Sequence, residues 1–561
     1  MRNKKSESKL SVRAIAGTHV VILAWDMKPE ATPGLIGFAV ERTEFKVGAV
    51  LERFWLRGIK RFEDKDKGLP AGTPVPTSEH PVQSFQWGDY TAAPETSYRY
   101  RVVPVYGQPL NLELREADGA AVDISTEAEM AGEHAVYFNR GLAGSQAYAR
   151  QFTNPIPDAD APDSPQMKWL SRGLYEALIA FIGRAKDSSW GLRAALYEFH
   201  YEPVGRAFKR AIDAGADVRI IYDAPNYGAE NAKMVNKLKL AAHCQKRAAG
   251  GHQKHNKYIV LLKNNEPVEV WTGSTNISAG GIFGHSNVGH QVRNRTLARR
   301  YLDYWNTLAQ LPDPPIAKVE HFNAAATPTP PGLPAASTLT PLFSPRPGAT
   351  LQWYADRMDG ADEIVCFTVA FQLAKSFENV LKKEDDVLRY VVSDKRLAGE
   401  AIITKDKDVI YAAGAKFEKG DLPQFLPEAL TGLNSNNYIH DKFMLIDPLS
   451  DDPTTVTGSA NFSGASQTDN DENMLVIRSD QRVADIYFGE FMRIFDHLYA
   501  RYLAKKIREE EAAKAKAAGG KKAKPKPGAG YLKPGDSWVA EHFNPGPKSR
   551  RRLYFHGAWL P

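Results

Sequence analysis

The chain has 561 residues, too many for one ordinary core, and at about 100–200 residues per domain it should hold about three or four units. With 43% apolar and 25% charged residues it is neither wholly disordered, nor collagen-like, nor membrane-embedded. The formal net charge of +6 does not imply a general polyanion-binding surface, because Lys514, Lys516, Lys521, Lys522, Lys524 and Lys526 lie in one acid-free stretch that accounts for the excess.

Cys244 and Cys366 are the only cysteines and read as ordinary thiols of a reducing compartment. The opening MRNKK and the apolar run IAGTHVVILAW imitate a secretory leader. The run is short, is broken by Thr18 and His19 and lacks a small-residue cleavage site, so a strand is expected instead. No stretch offers the roughly 18–20 uninterrupted apolar residues of a spanning helix, and a cytoplasmic location is expected. From about Ser11 to Ala121 the segments THVVILAW, GFAVERT, SFQWGDY and SYRYRVVPVYG alternate with Pro, Gly and charged turns, the pattern of an all-β sandwich. An apolar strand ending in Trp25, then GFAVERT, then Tyr98, Tyr100 and Val102 in alternation resembles a fibronectin type III domain, assigned to residues 1–125. Such a domain carries no catalytic group and implies a possible protein contact.

A Pro- and Asp-rich connector, 126–165, precedes helix–strand alternation: the helix MKWLSRGLYEALIAFIGRA, the strand LRAALYEF, the helix VGRAFKRAIDAGA and the strand DVRIIYD. After a second Pro-rich stretch, 324–349, the order recurs as WYADRMDG, EIVCFTVAF, AKSFENVLKK and VLRYVVSD. The expected fold is therefore multidomain: the sandwich, then a duplicated α/β fold with halves at 166–323 and 350–507. The second half closes with a long amphipathic helix in which Ile486, Phe488, Phe491, Ile494, Phe495 and Leu498 recur at helical spacing, a core stripe and not a membrane anchor. Residues 508–561 form a lysine-rich low-complexity tail and the piece SRRRLYF, which could contact an anionic surface.

The chemistry-bearing residues are also duplicated. The second half carries His440-x-Lys442, the apolar run Phe443–Ile446, Asp447, then Gly458-Ser459-Ala460-Asn461 and, further on, Glu472. The first half carries His255-x-Lys257, an apolar run, then Gly273-Ser274-Thr275-Asn276. His252-Gln253-Lys254 is also an H-x-K, but only His255 puts the apolar run directly after the lysine. This pair of HxKxxxxD and GSxN signatures resembles the phospholipase D superfamily over roughly Gln166 to Tyr499. The resemblance implies two motifs face to face across a pseudo-twofold axis, hence one complete site per chain.

A phosphodiester repels nucleophiles and releases its alkoxide poorly, and two imidazoles answer both problems. One attacks phosphorus while the other protonates the leaving oxygen and then activates water. The resemblance implies His255 as nucleophile, forming a phosphohistidine, and His440 as general acid and base. Lys257, Lys442, Asn276, Asn461, Ser274 and Ser459 are expected to stabilise the phosphate oxygens, with no metal or other cofactor required. Glu472 is placed to orient one histidine, and Asp447 is expected to be structural. Two positions depart from the pattern. Leu262 replaces the motif aspartate, which reads as a buried ion pair turned into an apolar contact. Gly289 falls opposite Glu472 and leaves His255 without an obvious partner, so reduced activity or a degenerate phosphate-binding module is an alternative. Zinc held by His243, Cys244, His252 and His255 matches no standard spacing. The motifs suit a phospholipid headgroup or a nucleic-acid strand alike. The lipid diester is the expected substrate, and a nuclease is the alternative.

Overall fold

The computed structural model describes every residue except 67, 142–144, 154–155, 420, 423, 430–432, 434–437, 518–529 and 559–561. Most of the lysine-rich tail therefore lies outside the described residues. No described helix is long and apolar enough to cross a membrane.

The N-terminal region is all-β. The strands Arg2–Ser6, Leu10–Ala16, Val21–Met27 and Gln86–Asp89 form one antiparallel sheet, and Asn111–Leu114, Ser97–Gln108, Gly37–Lys46 and Ala49–Trp55 form the other, with Ala120–Ser125 added beside Ser97–Gln108. Trp25, Phe38, Tyr98, Tyr100 and Val102 fill the space between them, as period-two alternation requires.

Two mixed sheets follow. The first runs Met130–Ala131, His134–Phe138, Val288–Val292, Glu266–Gly273, Lys257–Lys263, Trp190–Leu196, Asp217–Asp223, Cys244–Arg247. The second runs Leu339–Ser344, Glu472–Arg478, Thr454–Gly458, Phe443–Ile446, Ile364–Val369, Leu388–Ser393, Val409–Ala413. Apart from the two-residue strand Met130–Ala131, they match strand for strand. In each sheet the last three strands are parallel and the remaining pairings antiparallel. The duplication inferred from element order is thus a duplication of topology.

The stretches expected as connectors contribute to these sheets. His134–Phe138 and Leu339–Ser344 are each the strand beside the last strand of their half. Leu339–Ser344 is hidden by the Pro and Ser around it, and His134–Phe138 by its brevity, five residues between Gly132 and Gly141. The helix expected over MKWLSRGLYEALIAFIGRA is two helices, Pro165–Ser171 and Leu174–Gly183. The chain breaks at Arg172 and Gly173, both at positive φ. That break lets the Arg172 guanidinium turn inward to the Phe138 carbonyl and to Glu490.

The helix Gln481–Ala517 is buried along its stretch up to Ala504, and its last turns are exposed. Phe488, Phe491, Phe495 and Leu498 are buried in one core with residues of both sheets. The sandwich seats on it closely: a Cβ on Gly489 would stand 3.1 Å from that of Val20, and one on Gly17 would stand 3.1 Å from the Ile486 Cα. The piece SRRRLYF lies in the helix Pro547–His556 and is not a free basic patch. Arg550 pairs with Asp386 and Asp408, Arg552 with Asp26, and Phe555 is fully buried against Tyr390 and Phe488.

Candidate active site

Each H-x-K segment leads into the central strand of its sheet. In extended chain, residues two apart point the same way, so His255 and Lys257 share a side, as do His440 and Lys442. Each lysine then folds back on its own histidine: Lys257 Nζ donates to the His255 carbonyl and Lys442 Nζ to the His440 carbonyl, both at 2.6 Å. Asp223, ending the strand Asp217–Asp223, accepts the Lys254 N–H at 2.8 Å, and Asp394 accepts those of Tyr438 and Ile439 at 2.6 and 3.0 Å. These two aspartates were not singled out from the sequence. The signal was present, since DVRIIYD and VLRYVVSD both end in Asp.

The structure brings the two halves' residues together. The imidazole centroids of His255 and His440 are 6.3 Å apart, with the rings inclined by 67°. Both rings are buried, at 3% and 6% exposure.

The partners of the two rings cross between halves. His255 Nδ1 stands 2.9 Å from Glu472 Oε2, so His255 does have a carboxylate partner, contrary to the expectation drawn from Gly289. His440 Nδ1 stands 3.1 Å from both the Ser274 carbonyl and Asn287 Oδ1. The comparison with Gly289 was two residues out of register. His255 and His440 are 185 residues apart, as are Lys257 and Lys442, Ser274 and Ser459, and Asn276 and Asn461, which pairs Glu472 with Asn287. Hydrogen bonding agrees with that register: Ser274 N–H donates to Val288 O at 3.0 Å and Ser459 N–H to Asn473 O at 2.8 Å. Gly289 is a packing requirement, because a Cβ there would meet Trp271 at 2.2 Å.

The remaining motif residues divide by environment. Ser274 Oγ donates to Asn287 Oδ1 at 2.7 Å and accepts the Val288 N–H, while Ser459 Oγ donates to Asn473 O and accepts the Asn473 N–H. Both hydroxyls therefore brace the loops behind the histidines and are not free phosphate donors. Asn276 Nδ2 donates to Glu198 Oε1 at 2.5 Å, which fixes the amide's orientation and leaves its second N–H for a ligand. The Oδ1 atoms of Asn276 and Asn461 are buried without a protein partner among the described residues. Asp447 accepts the backbone N–H groups of Asp362, Glu363 and Ile364 at 2.9, 2.7 and 3.0 Å. It is a clasp on a turn and not half of an ion pair. Leu262 is buried in its strand, beside a register shift with the neighbouring strand. Sequence reasoning also missed His285, whose ring centroid lies 4.8 Å from that of His440, and the aromatic neighbours Tyr197 and Phe371.

Burial governs the electrostatics. It holds His255 well below the usual histidine range, helped by the charges of Lys257 and Lys442. His440 is lowered in the same way by burial, then by Lys442 and His285. Burial brings Lys257 down to about 8 and Lys442 well below the lysine range. It pushes the Glu472 carboxyl up to about 8 against the pull of Lys257 and Lys442. Two imidazoles held neutral beside two buried lysines make a pocket in which a bound anion offsets the burial that lowers both amines. No group of three or more His, Cys, Asp or Glu residues stands close enough to hold a metal ion among the described residues.

Residues 178–308 and 401–498 match the family described as cardiolipin synthase, PLD-like domain. No curated protein matches the chain. Among solved structures, phosphatidylserine synthase from Haemophilus influenzae is similar at 13% identity, over 62% of this chain and 92% of that one, with a TM-score of 0.43. Nuc from Salmonella typhimurium, a phospholipase D family member, is 19% identical over 29% of this chain and 95% of that one, with a TM-score of 0.21. Yeast tyrosyl-DNA phosphodiesterase is 12% identical over 54% and 85%, with a TM-score of 0.31.

Proposed function

We propose that this chain, which carries a phospholipase D-like domain built from two copies, is a phosphodiesterase acting on phospholipid headgroups through a covalent phosphohistidine. The observation that carries this reading is the pair of imidazoles contributed by the two halves, 6.3 Å apart and inclined by 67°, each backed by a group from the opposite half.

The unequal backing supports His255 as the nucleophile. A carboxylate behind Nδ1 makes the opposite nitrogen more basic and keeps its lone pair toward the substrate. Neutral acceptors behind His440 leave that ring readier to release a proton. His255 Nε2 attacks phosphorus, the bond to the leaving alcohol breaks, and His440 protonates the departing oxygen. The negative charge of a bound diester counteracts the burial that lowers His440, so that the ring takes up a proton from solvent as substrate binds and passes it to the departing oxygen. His440 then takes a proton from water, the hydroxide attacks phosphorus, and the P–N bond breaks to release a phosphomonoester. Lys257, Lys442, Asn276 and Asn461 stabilise the phosphoryl oxygens throughout.

A lipid substrate is supported by Phe371, 53% exposed, whose ring lies 6.4 Å from His440 with Lys442 Nζ 5.9 Å from its centroid. The arginines of SRRRLYF, expected as a possible contact for an anionic surface, are engaged in ion pairs. Because the matched family is described by a synthase, a second alcohol in place of water is the natural variant of the last step. The test is headgroup release from mixed vesicles in EDTA, with and without an added primary alcohol, beside plasmid and single-stranded DNA. Release abolished in both His255→Ala and His440→Ala supports the reading. DNA cleavage with intact vesicles replaces the lipid by nucleic acid, and inertness toward all diesters removes the catalytic reading.

A further inference from the structure

The two crossed pairs differ in more than their acceptors. Behind the pair His255–Glu472 lies a buried ionic knot. Arg247 and Asp471 are each 1% exposed, and the guanidinium grips the carboxylate with Nε to Oδ2 at 2.5 Å and Nη2 to Oδ1 at 3.2 Å. Asp471 immediately precedes Glu472, and its N–H donates to the Gln253 carbonyl at 3.0 Å, two residues before His255. Lys254, next to His255, points its ammonium to within 4.0 Å of the same carboxylate and donates to the Ala249 carbonyl at 2.8 Å. The far side of the guanidinium is held by Asp313, whose other oxygen accepts the N–H groups of Ala248 and Ala249.

The pair His440–Asn287 is built on the same backbone contact, Ser286 N–H to the Tyr438 carbonyl at 3.0 Å, but with a serine in place of the ion-paired aspartate. By the 185-residue offset, Ser286 stands where the other half has Asp471, and Ile439 where it has Lys254. Among the described residues the knot therefore exists on one side of the pseudo-twofold axis.

We infer that Arg247 and Asp471 are positioning residues for the nucleophile: they fix the segment carrying Glu472 against the segment carrying His255, so that the carboxylate meets Nδ1 and the other ring nitrogen faces phosphorus. This rests on the proposed assignment of His255. A buried charge pair gains little net stability over an apolar replacement, whereas its fork geometry sets the register of two segments to within a few tenths of an ångström. Charge on one pair only is what a nucleophile needs, since it must hold one tautomer, while an acid–base group must change protonation in every cycle.

The test compares Asp471→Asn with Asp313→Asn, which loosens the same guanidinium from the side away from Glu472. Asp471→Asn should lower kcat about 10–100-fold with KM unchanged and shift the acid limb of the pH–rate profile, while Asp313→Asn of comparable melting temperature stays within about threefold of the parent. Arg247→Lys, which keeps the charge and loses the fork, should fall between them. Histidine 15N shifts read the His255 tautomer without any turnover: one tautomer in the parent and in Asp313→Asn, a mixture in Asp471→Asn. Equal loss in the two aspartate variants, or a folded Asp471→Asn with the parent's kcat and a single tautomer, overturns the inference. A parent inactive on every diester refutes the proposed function instead, and the tautomer measurement still decides the positioning role.

Discussion

Glu472, from the second half, stands 2.9 Å behind His255 of the first, whereas the pseudo-equivalent position behind His440 is filled by the amide of Asn287. Replacing Glu472 by Gln keeps the volume and removes the charge that selects the reactive tautomer. We expect kcat/KM to fall by about 10²–10⁴ with the melting temperature little changed, measured by headgroup release and thermal unfolding.

The same pair sets the pH dependence. Glu472 is pushed up to about 8 and Lys257 brought down to about 8. Below that value the carboxyl carries a proton and no longer holds the nucleophilic tautomer. Above it Lys257 loses the charge that the proposed mechanism assigns to the phosphoryl oxygens. The kcat/KM profile should be a narrow bell centred near pH 8, its limbs belonging to the coupled cluster and not to single residues. In Glu472→Gln the acid limb should disappear, and a profile that stays flat from pH 6 to 10 in the parent would contradict the assignment.

Asn287 offers the converse experiment. Asn287→Ala removes one acceptor from His440 and should cost roughly fivefold to tenfold in kcat. Asn287→Asp places a second carboxylate behind the acid–base ring and raises its affinity for a proton. Water activation then slows, and phosphorylated enzyme should accumulate in acid-quenched samples, where the parent shows little.

Away from the chemistry, Glu490 is 2% exposed and receives Arg172 at 2.6 Å and Arg493 at 2.7 Å. Burial alone would raise its carboxyl, but the two guanidiniums override that and hold it at about 2. Because the folded value lies below the unfolded one of about 4.3, this stabilisation is fully present above that pH and is lost as pH falls toward 2. Glu490→Gln leaves two buried cations uncompensated and should lose about 3–5 kcal/mol in denaturant unfolding at pH 7, with a much smaller difference from the parent near pH 2.

The strands, the duplication and the H-x-K and GSxN residues were legible because each announces itself locally, by period-two burial or by a short motif. The partners of the histidines were not legible in that way. Glu472 reaches His255 across the axis between halves, a contact separated by 217 residues that no local pattern encodes. Asn287 was masked by a two-residue slip in matching the copies, which the constant spacing of the other motif residues would have corrected. Asp447 and Leu262 show a further limit: an acid inside a motif reads as charge chemistry, while its three backbone donors become visible only with the turn in place.

Gly17 and Gly489 let the sandwich lie flush on the long central helix, with Val20 in van der Waals contact and the Arg2 guanidinium 2.8 Å from Asp485. A region fastened in this manner is packed as one body with the long helix and is not an adaptor on a tether. A chain begun at residue 126 should therefore expose an oily helix flank and aggregate during expression, instead of yielding a smaller folded protein.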